Sequence, residues 1–131
     1  NKKIVRFEHH SFPLDLAALN AEKVLNCFKN KQKKLNFLNE LYEKQGVWAS
    51  GSDINSINSN LIKIGKNHGL NNDRILNCLN DENLENEILN KRIMANKKYS
   101  IESTPTIFVN EKKYKGKHSY EDFKKVIEKL L

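Results

Sequence analysis

The chain has 131 residues and a mass of 15.2 kDa, about one domain on a prior of roughly 150 residues each, and a chain of this size buries about two-thirds of its unfolded surface. Twenty-three basic residues against 16 acidic ones give a formal net charge of +7, and 38% of the residues are hydrophobic. No apolar run approaches the ~18 residues of a membrane span, no repeat or heptad period is present, and two cysteines without a Cys-x-x-Cys pair make neither a disulfide scaffold, a zinc ribbon nor a dithiol centre.

Ile4 to Phe12 alternates and is rich in strand formers, with Val5, Phe7 and His9 on one side and Arg6, Glu8 and His10 on the other. The pattern predicts a strand that stops at Pro13. The first residues show no charged lead followed by an apolar stretch, so no signal peptide is read here. A strand that begins without lead-in suggests a true N-terminus further upstream. Asp15 then opens a helical pattern, with Leu16, Leu19, Lys23, Leu25, Cys27 and Phe28 along its apolar side. Leu35, Leu38, Leu41 and Tyr42 continue at helical spacing, and Gly46 is expected to end that segment as the residue after the C-cap. Trp48 follows as an anchor into the core.

Ser50-Gly51-Ser52-Asp53 reads as a loop with an N-cap. Ile54, Ile57, Leu61, Ile62 and Ile64 form the next stripe, closed by Gly69. Asn71-Asn72-Asp73 caps a short helix through Ile75, Leu76 and Leu79. Asp81 caps another, whose stripe is Leu84, Ile88, Leu89, Ile93 and Met94. Residues from about 14 to about 98 are therefore predicted to be all helical. The period then switches. Thr106 to Val109 reads as a strand, Lys112 to Tyr114 as a second, and Asn110-Glu111 as the tight turn between them. Ser119, with Asp122 three residues on, caps a last amphipathic helix from Tyr120 to Leu131.

The charge invites a nucleic-acid reading through Lys29 to Lys34 and the cluster of Lys112, Lys113, Lys115 and Lys117. Composition argues otherwise. The chain has 20 lysines and 19 asparagines but only three arginines. Lysine and asparagine share A-rich codons, so an AT-rich genome accounts for the bias. Base readout favours the forked guanidinium of arginine, which is scarce here. Solvated helix faces are the expectation, and nucleic acid is not expected as a partner.

The order strand, helices, hairpin, helix, read with Ser103-Thr104-Pro105-Thr106-Ile107-Phe108-Val109-Asn110, resembles the DsbA-like thiol:disulfide oxidoreductases of the thioredoxin superfamily. Phe12-Pro13-Leu14-Asp15 is similar to their strand-to-helix step. Phe37, Leu41, Gln45 and Trp48, with Gly69-Leu70 and Cys78-Leu79, match their helical insertion. Gly116, Ser119-Tyr120 and Phe123 match the run into their terminal helix. The resemblance covers nearly the whole chain. It implies an α/β thioredoxin-like fold with a large helical insertion, N-terminally truncated, in which 1–30 and 99–131 are core elements and 31–98 the insertion. It further implies that Thr104 and Pro105, held cis in the family, form the substrate-binding loop. The family's Cys-x-x-Cys at a helix N-terminus is absent and is expected upstream of Ile4. Ser103 departs from the family's usual glycine, and Glu111 from the Asn-Gly that suits a type I′ turn.

Cys27 and Cys78, 51 residues apart, have two readings. Buried single thiols act as small hydrophobes. The resemblance instead implies a structural disulfide, carried by some DsbA-like branches and compatible with an oxidising compartment. Closing such a loop contributes about 4 kcal/mol in the chain-entropy picture. His9 and His10 are adjacent on a predicted strand and so face opposite ways, which makes a shared metal ion unfavourable. His68 and His118 lack ligands at suitable spacing, and no triad, phosphate loop or HExxH is present.

The functional expectation is part of a periplasmic thiol:disulfide oxidoreductase that forms disulfides in secreted proteins, inactive alone for want of its redox cysteines. Its implied partners are unfolded or reduced polypeptides and a redox partner protein, with no cofactor and no metal. The alternative is a non-catalytic thioredoxin-like module that binds peptide or self-associates. The thioredoxin topology that the resemblance implies would leave strand Ile4–Phe12 and strand Thr106–Val109 flanking a missing central strand, which either the two close by pairing antiparallel or, the favoured expectation, a second copy fills in a homodimer by strand exchange.

Overall fold

A computed structural model describes residues 4–131 as seven helices and one two-stranded sheet. The helices are α1 (Leu16–Asn26), α2 (Lys31–Glu43), α3 (Gln45–Trp48), α4 (Ile54–Asn67), α5 (Asn72–Leu79), α6 (Glu82–Tyr99) and α7 (Tyr120–Leu130). The strands are β1 (Phe108–Val109) and β2 (Lys112–Lys113). The chain divides into two compact units, Asn1–Ala95 and Asn96–Leu131, with α6 running across the division.

In the first unit every helix except α3 begins where a side-chain oxygen takes up an orphan amide. Asp15 accepts from Ala18 N at 2.8 Å, Asn30 from Lys33 N at 3.0 Å and Asp53 from Ser56 N at 2.8 Å. Asn71 accepts from Arg74 N at 2.8 Å and Asp81 from Leu84 N at 3.0 Å. α1 lies against α2, α4 and α5. Val24, Leu25, Phe28, Phe37, Leu41, Leu61 and Ile75 are buried around it. α4 ends in a Schellman motif: Leu70 N–H donates to Gly65 O at 3.1 Å and Gly69 N–H to Lys66 O at 3.0 Å. Gly69 sits at φ +96, where a Cβ would be strained.

Three expectations for this unit change. Residues 4–14 form no strand: no described segment offers them a ladder, and an extended segment without one has no strand to belong to. Gly46 does not end α2. The helix stops at Glu43, and Gly46 lies inside α3, because Trp48 Nε1–H reaches back to the Leu41 carbonyl at 2.8 Å and draws the chain into another turn. The α6 stripe is only partly used: Ile88 is buried, whereas Ile93 and Met94 are 51% and 67% exposed.

The second unit is a hairpin and a helix. β1 and β2 pair antiparallel, Phe108 opposite Lys113 and Val109 opposite Lys112. Asn110 (φ 47) and Glu111 (φ 65) both occupy the left-handed region that a type I′ turn demands. Ser119 Oγ accepts from Asp122 N at 3.2 Å to cap α7 and donates to Asp122 Oδ2 at 2.6 Å. Tyr114 packs at a tilt on Phe123 with ring centroids 4.7 Å apart, and its hydroxyl donates to Lys117 O at 2.8 Å. A Cβ at Gly116 would meet that hydroxyl and force the Tyr114 ring to shift. No residue from 96 to 131 is fully buried.

Candidate substrate loop and disulfide

The loop before β1 is fixed from both ends. Upstream, α6 closes at Tyr99, whose ring packs on Phe108 at 4.8 Å. Downstream, Tyr114 N–H donates to Ile107 O at 2.8 Å and extends the hairpin ladder towards the loop. Between them Thr106 Oγ1 donates to Ser103 O at 2.5 Å and closes a tight turn. The Thr104–Pro105 peptide inside this turn is cis. Thr104 and Pro105 are both exposed. Proline has no N–H, so the Thr104–Pro105 step presents backbone carbonyls and the Thr104 hydroxyl, with the exposed Glu102 carboxylate two residues upstream of Thr104. Such a surface can hold an extended peptide.

The cysteines contribute no nucleophile. Cys27 and Cys78 are bridged, with Cα atoms 6.2 Å apart, inside the usual range for a disulfide, and no cysteine is free. The bridge ties the C-cap of α1 to α5. Cys27 is buried and Cys78 half-buried. Arg74 fastens the same joint: its Nε and Nη2 donate to Cys27 O at 3.0 and 2.5 Å. A polar groove of about 430 Å³ lies alongside, lined by Asn71, Asp73, Arg74, Asn77, Cys78 and Asp81. Asn71 and Asp81 are already engaged there as helix caps.

Several polar residues of the first unit carry more than the sequence indicated. Lys23, placed on the apolar side of α1 by its spacing, is 4% exposed. Its Nζ donates to Leu79 O at 3.1 Å and pairs with the half-exposed Glu85. Asn20 is also buried and donates to Asn58 Oδ1 at 2.8 Å. Buried polar groups need such partners, and every buried side-chain polar atom among the described residues has one. His68 lies edge-on to Phe37 at 5.8 Å and hydrogen-bonds Glu40. Lys44, then His68, holds the Glu40 carboxyl below its ordinary 4.5. His9 meets the Tyr42 hydroxyl at 3.1 Å. Part of its ring edge is open to solvent, yet the protein packed around it pulls its pKa below the ordinary 6.5. Arg92 sits over the Phe12 ring at 5.1 Å. These contacts hold the non-strand segment before α1. Among the described residues no group of three potential ligands could hold a metal ion. No described helix is long and apolar enough to cross a membrane.

The thioredoxin family profile matches residues 1–129. The crystal structure of alpha-DsbA1 from Wolbachia pipientis superposes with a TM-score of 0.77 at 26% identity, covering 91% of this chain and 64% of that one. A single-substitution variant of the same Wolbachia protein gives the same values. This chain therefore spans under two-thirds of the length of the structures it matches. No curated protein sequence matches it significantly.

Proposed function

The chain belongs to the thioredoxin family, and from that premise we propose that it forms the substrate-loop and helical portion of a DsbA-like thiol:disulfide oxidoreductase. The superposition on alpha-DsbA1 over 91% of the chain carries this reading. In it, Thr104 and Pro105 hold an extended polypeptide beside the redox centre. Residues 1–30 and 99–131 are core elements, and 31–98 the insertion. Cys27–Cys78 is a structural bridge fastening α1 to the insertion.

A Cys-x-x-Cys encoded upstream completes the enzyme. A substrate thiolate attacks its disulfide to give a mixed disulfide. The substrate's second thiolate then displaces the enzyme sulfur, leaving an oxidised substrate and a reduced Cys-x-x-Cys. Reoxidation needs a redox partner protein. An oxidising periplasm is the compartment that suits both this chemistry and the structural bridge. Residues 1–131 alone, with no free thiol, have no turnover.

The test has two arms. The upstream coding sequence should contain Cys-x-x-Cys, and the complete protein should catalyse dithiol oxidation while residues 1–131 do not. A reading frame without that motif, or turnover by residues 1–131 alone, overturns the proposal. The first of these outcomes favours the non-catalytic peptide-binding module. Self-association by strand exchange is read separately, by sedimentation across micromolar concentrations, where a stable monomer removes it.

A further inference from the structure

The hairpin that follows the Thr104–Pro105 loop carries an unpaired row of cations. Residues 96–131 hold nine lysines against five acidic residues and no arginine. Lys112, Lys113, Lys115 and Lys117 fall within six positions, and all four are exposed. In the first unit Lys23 is matched to Glu85, and Lys44 to Glu40 at 2.7 Å, while the other described lysines there have no carboxylate partner either. Among the described residues no ion pair involves any residue of the second unit.

Register places part of this row beside the loop. Phe108 faces Lys113 across the ladder, and Tyr114 N–H bonds Ile107 O, one residue nearer Pro105. β2 ends at Lys113, the Tyr114 N–H to Ile107 O bond carries the pairing one residue further, and the exposed Lys115 follows two positions after Lys113. Tyr114 itself is turned onto Phe123. Residues two apart on a strand stand about 6.5–7 Å from one another. That is also the spacing of alternate side chains on an extended peptide.

We propose that Lys113 and Lys115 select acidic substrate segments: polypeptides with Asp or Glu at alternate positions beside the stretch held by Thr104 and Pro105. The inference rests on the substrate-loop reading and adds the substrate class. A polypeptide is favoured over nucleic acid because the row is all lysine. Bidentate recognition of phosphates and base edges relies on arginine, whereas lysine acts as a point charge.

The test uses residues 1–131 and fluorescein-labelled extended peptides in fluorescence anisotropy. One peptide carries Asp at two alternate positions, and its isostere carries Asn. At low ionic strength the Asp peptide should bind about 5- to 10-fold tighter, and the advantage should fall below about 2-fold near 0.3 M salt, as for exposed charges. Lys113→Gln with Lys115→Gln should abolish the advantage, and Lys29→Gln with Lys31→Gln should leave it. Equal affinity for the two peptides, loss in both double variants alike, or tighter binding of a single-stranded RNA of the same length overturns the inference. Pro105→Ala separates it from its premise: weaker binding of both peptides supports the loop. Unchanged binding of the Asn peptide counts against the loop while leaving acid selectivity readable. Absence of any peptide binding removes both.

Discussion

Helices α1 to α5 close on side chains such as Phe37, Leu61 and Ile75 that have no exposure at all, whereas from residue 96 to 131 no side chain is fully buried. The first region is held by a packed core and a covalent bridge between α1 and α5. The second is held by local devices: a type I′ turn, a capped helix and the packing of Tyr114 on Phe123. The candidate substrate loop lies in the second. Loops placed on a lightly packed element open at low cost, which suits the proposed role of this one in holding polypeptide. The helical region has the opposite character and serves as the rigid part.

The comparison breaks most visibly at the disulfide. Replacing Cys27 and Cys78 by alanine should lower the stability of the helical region by about 4 kcal/mol. Urea unfolding followed by Trp48 fluorescence measures it. A loss below about 1 kcal/mol would show that the core alone closes the loop. The same truncation at two sites sharpens the contrast. Phe37→Ala should cost about 3 kcal/mol or more, and Phe123→Ala, half-buried, about half as much. Equal losses in chemical denaturation would erase the distinction between the two regions.

Smaller effects separate the local devices. Ser119→Ala should cost about 1 kcal/mol by leaving the Asp122 amide uncapped. Glu111→Gly should stabilise by about 0.5–1 kcal/mol, since glycine adopts φ 65 without the Cβ penalty. Amide exchange measures the first in α7 and the second in the hairpin, and faster hairpin exchange in Glu111→Gly would contradict the turn assignment. The smallest effect is on pH. Glu40 is held below 4.5 by Lys44 and His68, so its contribution is complete above that value and is lost as pH falls through its lower folded value. His9, held below 6.5 by its surroundings, follows the same sign at a higher pH. Melting temperature should therefore decline in two stages on acidification, and His9→Gln should remove the first. A single stage in the parent chain would detach His9 from the fold's stability.

Much of the local structure was legible because local chemistry dictates it. Asp15, Asp53, Asn71, Asp81 and Ser119 were readable as caps from residue type and the apolar pattern that follows each. The Thr104–Pro105 loop was found through a resemblance spread over many short motifs. Arg74 and Glu85 gave no signal. Their partners, Cys27 O and the Lys23 ammonium, lie 47 and 62 residues away in sequence.

The sequence by itself determined where α1, α4, α5, α6 and α7 start, where the helical period ends before the hairpin, and that no dithiol centre lies within these residues, because caps, periodicity and cysteine spacing are properties of neighbours along the chain. Tertiary structure decided the rest. It drew Gly46 into a helix through the Trp48–Leu41 bond, and it buried Lys23 against a carbonyl from another helix. It left Ile93 and Met94 in solvent and gave Ile4 to Phe12 no strand to pair with. Each of these depends on what stands opposite a residue in space. A hydrogen-bond ladder or a buried charge exists only when its second partner arrives from a distant part of the chain.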